Sequence, residues 1–405
     1  MPALRFMKRK IFVAILILIV LSQIPFVYRR YRLRKLNGTI QQLATQRVAR
    51  FDNTEYVDYK GVIHVHTSLG GHSTGTFAEL IAGAKANQLD FVIMTEHPQA
   101  EFDISAMTLT GVHNEVLFVN GNEVATASGD RLLLIPGSAN AASMNSQSTQ
   151  QIIDQQSAAG GLAFVAYPSE SQNWQSTTPS GVEVYNLFTN TKRANRFVLF
   201  FDGLWSYRSY ADLMFANFFA RPDENLKRWD ETANRSNRKL VAIAGNDAHA
   251  NIGISLNDES GNQLIGIKLD PYERSFRTVR THVLIRKDKG LSRESLLEAL
   301  TQGHCYISFD LFSDASGFNF SLLHSDKTMG DEVALNTQPR FLVQSPLPAR
   351  VVLFKNGNAV EQKFGTEVEF SPDGTGAYRV EAYLDSLPAP ARGKPWVISN
   401  PIYLK

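Results

Sequence analysis

The sequence contains a single cysteine, Cys305, in 405 residues, so it cannot form an internal disulfide. Acidic residues are missing from its first 50 positions, which carry 11 of the 41 lysines and arginines. The remaining residues therefore hold 30 basic against 39 acidic side chains, a net charge of −9. This balance argues against a broad nucleic-acid-binding surface on the folded part. Because 43% of the residues are hydrophobic, the chain can bury a large core and is not a disordered protein.

One apolar run without charge, residues 11–27 (IFVAILILIVLSQIPFV), is long enough to cross a bilayer as a helix. Basic residues flank it on both sides, and no small-residue cleavage site follows it, since the next alanine is Ala44. We therefore predict an uncleaved single-pass membrane anchor over residues 1–35, with a cleaved signal peptide as the alternative. A short N-terminus that stays inside places the body outside the cytoplasm, in the periplasm. The two basic flanks leave this orientation open.

The anchor is followed by a polar connector, residues 36–58, and then by a long region, residues 59–316, in which apolar runs alternate with helical patterns. The strand candidates are GVIHVH, FVIMTEH, VLFVNGNE, LAFVAYP, VEVYN and LVAIAGNDAH. Capping boxes at Thr76 and Ser148 predict the starts of two intervening helices. Such alternation predicts an α/β protein with a parallel sheet, either open or closed into a barrel.

Two further regions have a different character. Residues 317–405 contain short alternating runs with turn signals, which predict a small C-terminal β-sandwich. The aromatic-rich segment 197–219 is interrupted by charges such as Asp202 and Arg208, so it is not expected to span a membrane. We expect it to pack as a strand and a helix against the body, with a lid or a membrane-facing role as the less favoured alternative.

Several strand candidates finish with imidazole or carboxylate side chains. His64 and His66 end the first strand, where alternation places them on one face, and Asp247 and His249 show the same spacing. Carboxyl ends of parallel strands form the edge at which active sites are built, so we expect these side chains to converge. A lone histidine is more often structural, but five of the nine histidines and two carboxylates share this placement. The full set is His64, His66, His72, His97, Glu123, Asp247 and His249.

Imidazole nitrogen and carboxylate oxygen are the ligands of zinc, manganese and iron, and no cysteine lies nearby to indicate a structural zinc site. A cluster with this many ligands can hold two or more ions bridged by a carboxylate. Two ions about 3.5–4 Å apart activate water and drive in-line displacement at phosphorus. The pattern therefore predicts metal-dependent hydrolysis, with metal-bound water as the nucleophile.

The successive segments HVHTSLGGHS, TEHP, GNE and GNDAH resemble the ordered motifs of the PHP family, the polymerase and histidinol phosphatase metal-dependent phosphoesterases. The resemblance covers residues 59–308. It implies a distorted (βα)7 TIM-like barrel that binds two or possibly three divalent metal ions, Zn, Mn or Fe, at its C-terminal edge. The implied ligands of one ion are His64, His66, Glu123 and Asp247. Those of another are His72, His97 and His249, with Glu123 bridging toward a further position.

The chain departs from the family at AYP, where Tyr167 stands in place of an expected histidine ligand. No histidine occurs between His113 and His249 that could replace it. Tyr167 can be a weak ligand, a hydrogen-bond donor to phosphate or a packing residue. Glu170 and Glu183 are candidate substitute ligands, although a structural pairing of Glu183 with a basic group is favoured.

The remaining polar candidates have supporting roles. Glu96, where the family commonly has aspartate, is expected to orient a ligand histidine rather than bind metal. Glu183 is likewise predicted to lie outside the set of metal ligands and to support them. Candidates for phosphate capture are Lys192, Arg193 and Arg196, for which a solvated basic loop is the alternative. Four histidines match no motif and are expected to be structural or exposed: His113, His282, His304 and His324.

We predict a membrane-anchored metal-dependent phosphoesterase that hydrolyses a small-molecule or nucleotide phosphoester. One alternative is an exonuclease acting on nucleic-acid ends, which the acidic body argues against. The other is a barrel that binds metal without catalysis, for which Tyr167 in place of a ligand is the main support.

Overall fold

The computed structural model describes residues 2–48, 55–192, 195–236, 238–251, 253–257, 263–335 and 338–405. These residues form ten α-helices, several short 3-10 turns and twenty strands. The helices are α1 (Pro2–Ser22), α2 (Ile24–Gln46), α3 (Phe77–Ala86), α4 (Ile104–Met107), α5 (Thr149–Ala158), α6 (Leu187–Lys192), α7 (Arg196–Tyr210), α8 (Asp223–Ser236), α9 (Tyr272–Ser275) and α10 (Arg293–Gln302).

The first thirteen strands are β1 (Tyr56–Val65), β2 (Phe91–Met94), β3 (Gly111–His113), β4 (Val116–Val119), β5 (Asn122–Ala125), β6 (Arg131–Ile135), β7 (Leu162–Ala166), β8 (Gly181–Asn186), β9 (Val241–Gly245), β10 (Gly253–Asn257), β11 (Gln263–Lys268), β12 (Arg280–Arg286) and β13 (Cys305–Ser308). The last seven are β14 (Asn319–Leu322), β15 (Glu332–Val333), β16 (Phe341–Lys355), β17 (Asn358–Phe370), β18 (Gly376–Tyr383), β19 (Val397–Ser399) and β20 (Ile402–Leu404).

The strands form a 13-stranded sheet, a 5-stranded sheet and a two-stranded ribbon of β10 and β11. The path through the large sheet is β14-β16-β18-β19-β13-β12-β1-β2-β4-β3, with β15, β17 and β20 attached to its sides. The smaller sheet has the order β5-β6-β7-β8-β9. The protein is therefore a mixed α/β structure with two large sheets.

The prediction of a distorted (βα)7 TIM-like barrel is wrong, since the described strands pair into these separate sheets and form no closed barrel. Parallel pairs do occur, as β1-β2-β4 and as β7-β8-β9. However, β5 pairs antiparallel with β6 and β6 antiparallel with β7. The connection from β5 to β6 spans only residues 126–130, whereas a parallel crossover needs about a dozen residues. Short apolar runs in the sequence do not reveal this reversal of direction.

The C-terminal strands belong to the large sheet, because β19 pairs with both β13 and β18. The runs RFLVQS and RVVLFKNG form one long strand, β16, which makes a hairpin with β17. The hairpin turns at Asn356 and Gly357, whose φ values of 51° and 87° suit a tight two-residue turn. Residues 317–405 were predicted to form a separate β-sandwich. Their strands are instead continuous with the sheet that contains β1. A domain boundary at residue 317 stays a prediction.

Both predicted capping boxes are confirmed. The Thr76 side chain accepts a hydrogen bond from the Glu79 amide, and the Glu79 carboxylate accepts one from the Thr76 amide. Ser148 and Gln151 make the same reciprocal pair. Local sequence therefore sets where α3 and α5 begin.

One helix near the N-terminus, Met7–Gln46, is long and apolar enough to span a membrane. It comprises most of α1 together with α2. Residues 36–46 of the predicted polar connector are helical, and Leu36 and Leu43 of this part are buried in the core. Residues 49–54 of that connector lie outside the described residues.

The aromatic-rich segment forms α7 and a 3-10 turn, not the predicted strand and helix. Helix α7 packs against α2, where the Arg29 guanidinium donates two hydrogen bonds to the buried Asp202 carboxylate at 2.8 and 2.6 Å. The Phe26 ring lies edge-on to Phe201, with 4.7 Å between ring centroids. The N-terminal helix is therefore attached to the folded body through α7.

The two large sheets meet at the carboxyl ends of β1, β2 and β9. Isolated parallel bridges join Val65 to Ala248 and Glu96 to Asn122. The His66 amide also donates to the Ala248 carbonyl at 3.0 Å. These bridges bring strand ends from both sheets to one edge. The sequence predicts such an edge, because the carboxyl ends of parallel strands lie together.

A separate charged cluster lies where β1, β12 and β13 are adjacent. His282, Asp310 and Asp314 present ligand atoms within 4.8 Å of one another. Both acids already have cationic partners, since Arg280 donates to Asp310 at 3.0 Å and Lys60 donates to Asp314 at 2.9 Å. We therefore interpret this cluster as a structural ion-pair network, in line with the prediction that His282 is structural.

His282 is charged in this network. Burial lowers its pKa, but the Asp58 and Asp310 carboxylates raise it by more and hold it at about 10. This folded-state pKa exceeds the unfolded value of about 6.5. The stabilisation is therefore fully present below pH of about 6.5 and is lost as the pH rises through the folded pKa.

We expect His282→Gln to lower the free energy of unfolding by about 3 kcal/mol near neutral pH, because it removes the buried positive charge that faces the Asp58 and Asp310 carboxylates. Urea unfolding in detergent, measured from pH 6.5 upward, should show this deficit shrinking toward high pH. The control is His113→Gln, which removes an imidazole bonded only to the Thr110 carbonyl. A deficit that does not change with pH would contradict the assignment of charge to His282.

Candidate metal centre

The histidines at the end of β1 lie where the strand becomes irregular. His64 has a φ of 67°, and the register between β1 and β2 shifts at this point. The regular alternation assumed from the sequence therefore breaks at His64. Even so, both imidazoles are buried and face the carboxylates of Glu123 on β5 and Asp247 just after β9.

Four buried side chains point one ligand atom each toward a common centre. His64 Nε2 lies 3.2 Å from Glu123 Oε2 and 3.5 Å from Asp247 Oδ1. His66 Nε2 lies 3.4 and 3.5 Å from the same two oxygens. Tetrahedral ligands about 2.1 Å from an ion are about 3.4 Å from one another. The observed spacings therefore fit a single enclosed ion.

Hydrogen bonding within the protein pairs His64 Nε2 with Glu123 Oε2 but leaves the other two ligand atoms unsatisfied. Among the described residues, both ring nitrogens of His66 and Asp247 Oδ1 are buried without a hydrogen-bond partner. A buried polar atom in that state costs about 1–3 kcal/mol. The arrangement is the one expected where a cation supplies the missing partner.

The pKa shifts reflect the mutual attraction of the imidazoles and the carboxylates at the centre. Burial lowers the pKa of His66 to about 4, so its imidazole is neutral and has a lone pair to offer. Burial raises the pKa of Glu123 and of Asp247, but the adjacent His64 and His66 lower both by more, so both carboxylates are ionised. Burial also lowers the pKa of His64, yet Glu183 and Asp247 raise it well above its usual value. The pocket thus attracts positive charge.

A second layer of residues fixes His64. Its Nδ1 donates to Glu183 Oε1 at 2.6 Å, which directs Nε2 toward the centre. Asn186 Nδ2 donates to the other Glu183 oxygen at 3.1 Å. Gly245 leaves room for the pair, because a Cβ at that position would lie 1.6 Å from Glu183 Oε1. Glu183 thus contacts His64 and not the centre itself, and its role as an orienting residue stays a prediction.

Three imidazoles form a second group beside the first. His66, His97 and His249 present ligand atoms within 4.8 Å of one another, and His66 stacks between the other two rings at 4.6 and 4.4 Å. His97 Nε2 also lies 3.6 Å from Glu123 Oε2, the oxygen that faces His64 and His66. His72 contacts the His97 ring edge-on at 4.9 Å but does not belong to the group. His66, which is also part of the first group, therefore completes this set of three imidazoles.

These buried histidine, aspartate and glutamate groups can hold a metal ion. The donor set of imidazole nitrogen and carboxylate oxygen suits zinc, manganese or iron.

Tyr167 supports the centre through a hydrogen bond. Its hydroxyl donates to Asp247 Oδ2 at 2.7 Å, leaving Oδ1 to face the histidines. Burial and the neighbouring Asp247 raise the pKa of Tyr167, so the phenol keeps its proton and remains a donor. Of the three roles considered from sequence, the contacts favour a polar role over packing. Its φ of 49°, like that of Asp247, is a strained conformation of the kind found at functional sites.

Glu96 is placed differently from the expectation. Its carboxylate accepts hydrogen bonds from the Thr67 amide at 2.9 Å and from the Thr67 hydroxyl at 2.5 Å. Burial raises its pKa to about 7. These contacts hold the loop that follows β1, whereas the prediction had Glu96 orienting a ligand histidine.

The predicted phosphate-binding residues lie around the start of α7. Lys192 is the last residue of α6 and Arg196 the first of α7, and Arg193 lies outside the described residues. Glu170, a candidate substitute ligand, is exposed on the wall of the cavity above the centre.

The centre opens into a cavity of about 710 Å³. Arg131 at the start of β6 lines this cavity, and its guanidinium donates to Glu123 Oε1 at 3.3 Å. Arg131 was not predicted from the sequence, because it begins a strand and the predicted site residues are polar residues at strand ends. Asn186 was not predicted either, although it is a polar residue at the end of VEVYN, just as Glu123 is at the end of VLFVNGNE.

No protein-family model and no curated protein sequence matches the chain. Among solved structures, the chain is similar to the crystal structure of PsfC from Pseudomonas syringae PB-5123. The two share 12% sequence identity over 60% of this chain and 89% of the other, with a TM-score of 0.37. We draw no conclusion about fold or function from an overlap of this size.

We expect Glu183→Gln to weaken metal binding about 10- to 100-fold, because it removes the charged acceptor that orients His64. Isothermal titration of the metal-free protein with Zn²⁺ and Mn²⁺ measures this. Glu170→Gln is the matched control, since it makes the same change on the wall of the same cavity and should alter affinity by no more than about twofold. Equal affinities of the two variants would show that Glu183 does not support the centre.

Proposed function

We propose that the chain is a membrane-anchored, metal-dependent phosphoesterase of the PHP type, acting on a small-molecule or nucleotide phosphoester. The observation that carries the proposal is the convergence of His64, His66, Glu123 and Asp247 on one buried point beneath an open cavity. The adjacent imidazole group shares His66 and approaches Glu123, which supports a two-ion centre.

One ion would be held by His64, His66, Glu123 and Asp247, and a second by His97 and His249 together with Glu123, whose Oε2 lies 3.6 Å from His97 Nε2. His72, at the edge of this group, is an additional ligand of the second ion in this proposal. Divalent ions held there supply Lewis acidity, which withdraws charge from a phosphoryl group and makes water a better nucleophile near neutral pH.

Arg131 is the proposed phosphate-binding residue. One of its N–H groups is occupied by Glu123, and its side chain is 46% exposed at the cavity wall. A guanidinium has five donors, so others remain available for phosphate oxygens. Its cationic charge also balances the charge of the Glu123 carboxylate on the side away from the histidines.

Tyr167, Glu183 and Asn186 hold the ligands in place. Tyr167 and Asn186 both donate to Asp247 Oδ2, at 2.7 and 3.3 Å, which fixes the direction of Oδ1. Glu183 fixes the His64 ring. Ligands that are held in position in this way lower the free-energy cost of binding a metal ion and of orienting the reacting groups.

The anchor is proposed to be retained. The end of the apolar run and the residues after it are buried against the body. These are Phe26 within the run and Arg29 and Leu33 beyond it. Removal of a signal sequence within or after this run would cut into packed structure.

Asp247→Asn and His64→Ala should each lower kcat for p-nitrophenyl phosphate by about 100- to 1,000-fold or more, because each removes a charge-stabilising ligand. The fold should persist, as judged by circular dichroism. Asp154→Asn, an exposed change on α5, is the control and should leave activity unaltered. Wild-type protein that binds metal but cleaves no phosphoester would favour the non-catalytic alternative and overturn the proposal.

Arg131→Gln should raise KM for a phosphomonoester about 10- to 100-fold, since a hydrogen bond to a charged group contributes about 1.5–3 kcal/mol. Arg131→Lys should recover part of the loss. The control is Arg235→Gln on the exposed end of α8. Metal content is measured in parallel, and an unchanged KM with full metal content would exclude Arg131 from phosphate binding.

A further inference from the structure

Helix α7 exposes an apolar face. Phe197, Phe200, Leu204 and Trp205 lie on one side of the helix, with exposed fractions of 76%, 55%, 63% and 43%. Apolar side chains grouped in this way on a soluble surface indicate an interaction site. None of the catalytic roles proposed above uses this face.

The face lies beside the N-terminal helix. The Phe26 ring is 6.0 Å from the Phe200 ring and 5.7 Å from the Trp205 ring, centroid to centroid. Phe26 is in the last part of the apolar run 11–27, and Arg29 follows it by about 4.5 Å along the helix axis. The middle of α7 is therefore level with the point at which the spanning helix leaves the apolar layer.

The surface around this point has the composition of a membrane interface. Tyr28 and Tyr31 on α2 are exposed, as tyrosines are at the boundary between acyl chains and head groups. Just beyond them along α2 stand three further basic residues: Arg32, Arg34 and Lys35. Such residues favour anionic lipid head groups.

We propose that the exposed face of α7 lies in the interface of the same bilayer that the N-terminal helix spans. The inference rests on the retained anchor of the proposed function, because continuity with that helix identifies lipid as the occupant rather than a second protein. The contact gives the body a second attachment to the membrane. One helix alone would leave the body free to rotate about it.

The second attachment bears on the metal centre. Asn217 donates to Asp202 at 2.9 Å and accepts from Arg29 at 2.9 Å, so it belongs to the junction between α2 and α7. It also lines a cavity of about 370 Å³ that reaches Tyr167 and Asn186 at the metal centre. Docking of α7 would therefore hold the centre in a fixed position relative to the bilayer surface.

Tryptophan fluorescence tests this directly in the full-length chain. Of the four tryptophans, Trp205 is exposed, whereas Trp174, Trp229 and Trp396 are at most 1% exposed. In vesicles of anionic lipid brominated near the head group, we expect the emission of the wild type to be quenched. Trp205→Phe should abolish that loss without disturbing the fold.

A charge on the exposed face supplies the second readout. Leu204→Glu should reduce the quenching of Trp205, whereas Phe364→Glu, an equally exposed apolar position on β17, should not. Quenching that is absent, or equal in the wild type and in Trp205→Phe, would overturn the proposal and favour a protein partner. Extraction of the same vesicles with alkaline carbonate tests the membrane anchor separately from the α7 contact. Release of the protein would overturn the anchor as well, whereas retained protein with unquenched Trp205 would overturn the α7 contact alone.

Discussion

Convergence of buried ionisable side chains from two sheets is the constraint on which the rest of the site depends. His64 Nε2 and His66 Nε2 each lie 3.2–3.5 Å from the two ionised carboxylates of Glu123 and Asp247, in a region closed to solvent. His64 and His66 come from the large sheet, and Glu123 and Asp247 come from the smaller sheet or its end. Among the described residues, His66 Nε2 and Asp247 Oδ1 have no hydrogen-bond partner at this contact between the sheets. Binding of a cation there is therefore expected to be coupled to the stability of the contact.

The backbone around the centre is strained in a way that only a rigid framework can maintain. His64, Tyr167 and Asp247 all have positive φ values, between 49° and 67°, at a cost of about 1–2 kcal/mol each. Tyr167 and Asp247 lie just beyond the fully buried strands β7 and β9, and His64 lies in the buried last half of β1, so that strand packing fixes each conformation. Gly245 adds a close approach that no side chain could accept. Packing of the two sheets thus offsets the strain and holds the ligand atoms in position.

The sequence predicted which side chains lie together better than the architecture that carries them. These side chains were found because imidazoles and carboxylates at strand ends are unusual, and that signal is local. Strand direction is not local: the run VLFVNGNE divides into β4 and β5 in different sheets, so Glu123 does not end the strand to which it was assigned. Arg131 was not predicted for the same reason: it reaches the centre because β6 runs antiparallel to its neighbours, and strand direction cannot be read from local sequence. Glu96 and His72 matched motifs, but their contacts depend on loop geometry that motifs do not encode.

X-ray diffraction at the absorption edge of the bound metal tests the central claim most directly. Crystals of protein loaded with Zn²⁺ or Mn²⁺ should show an anomalous peak about 2.0–2.2 Å from His64 Nε2, His66 Nε2, Glu123 Oε2 and Asp247 Oδ1. A second peak is expected near His97 and His249. Loaded crystals with no anomalous density among these four atoms, or with the side chains separated beyond a coordination sphere, would contradict the account.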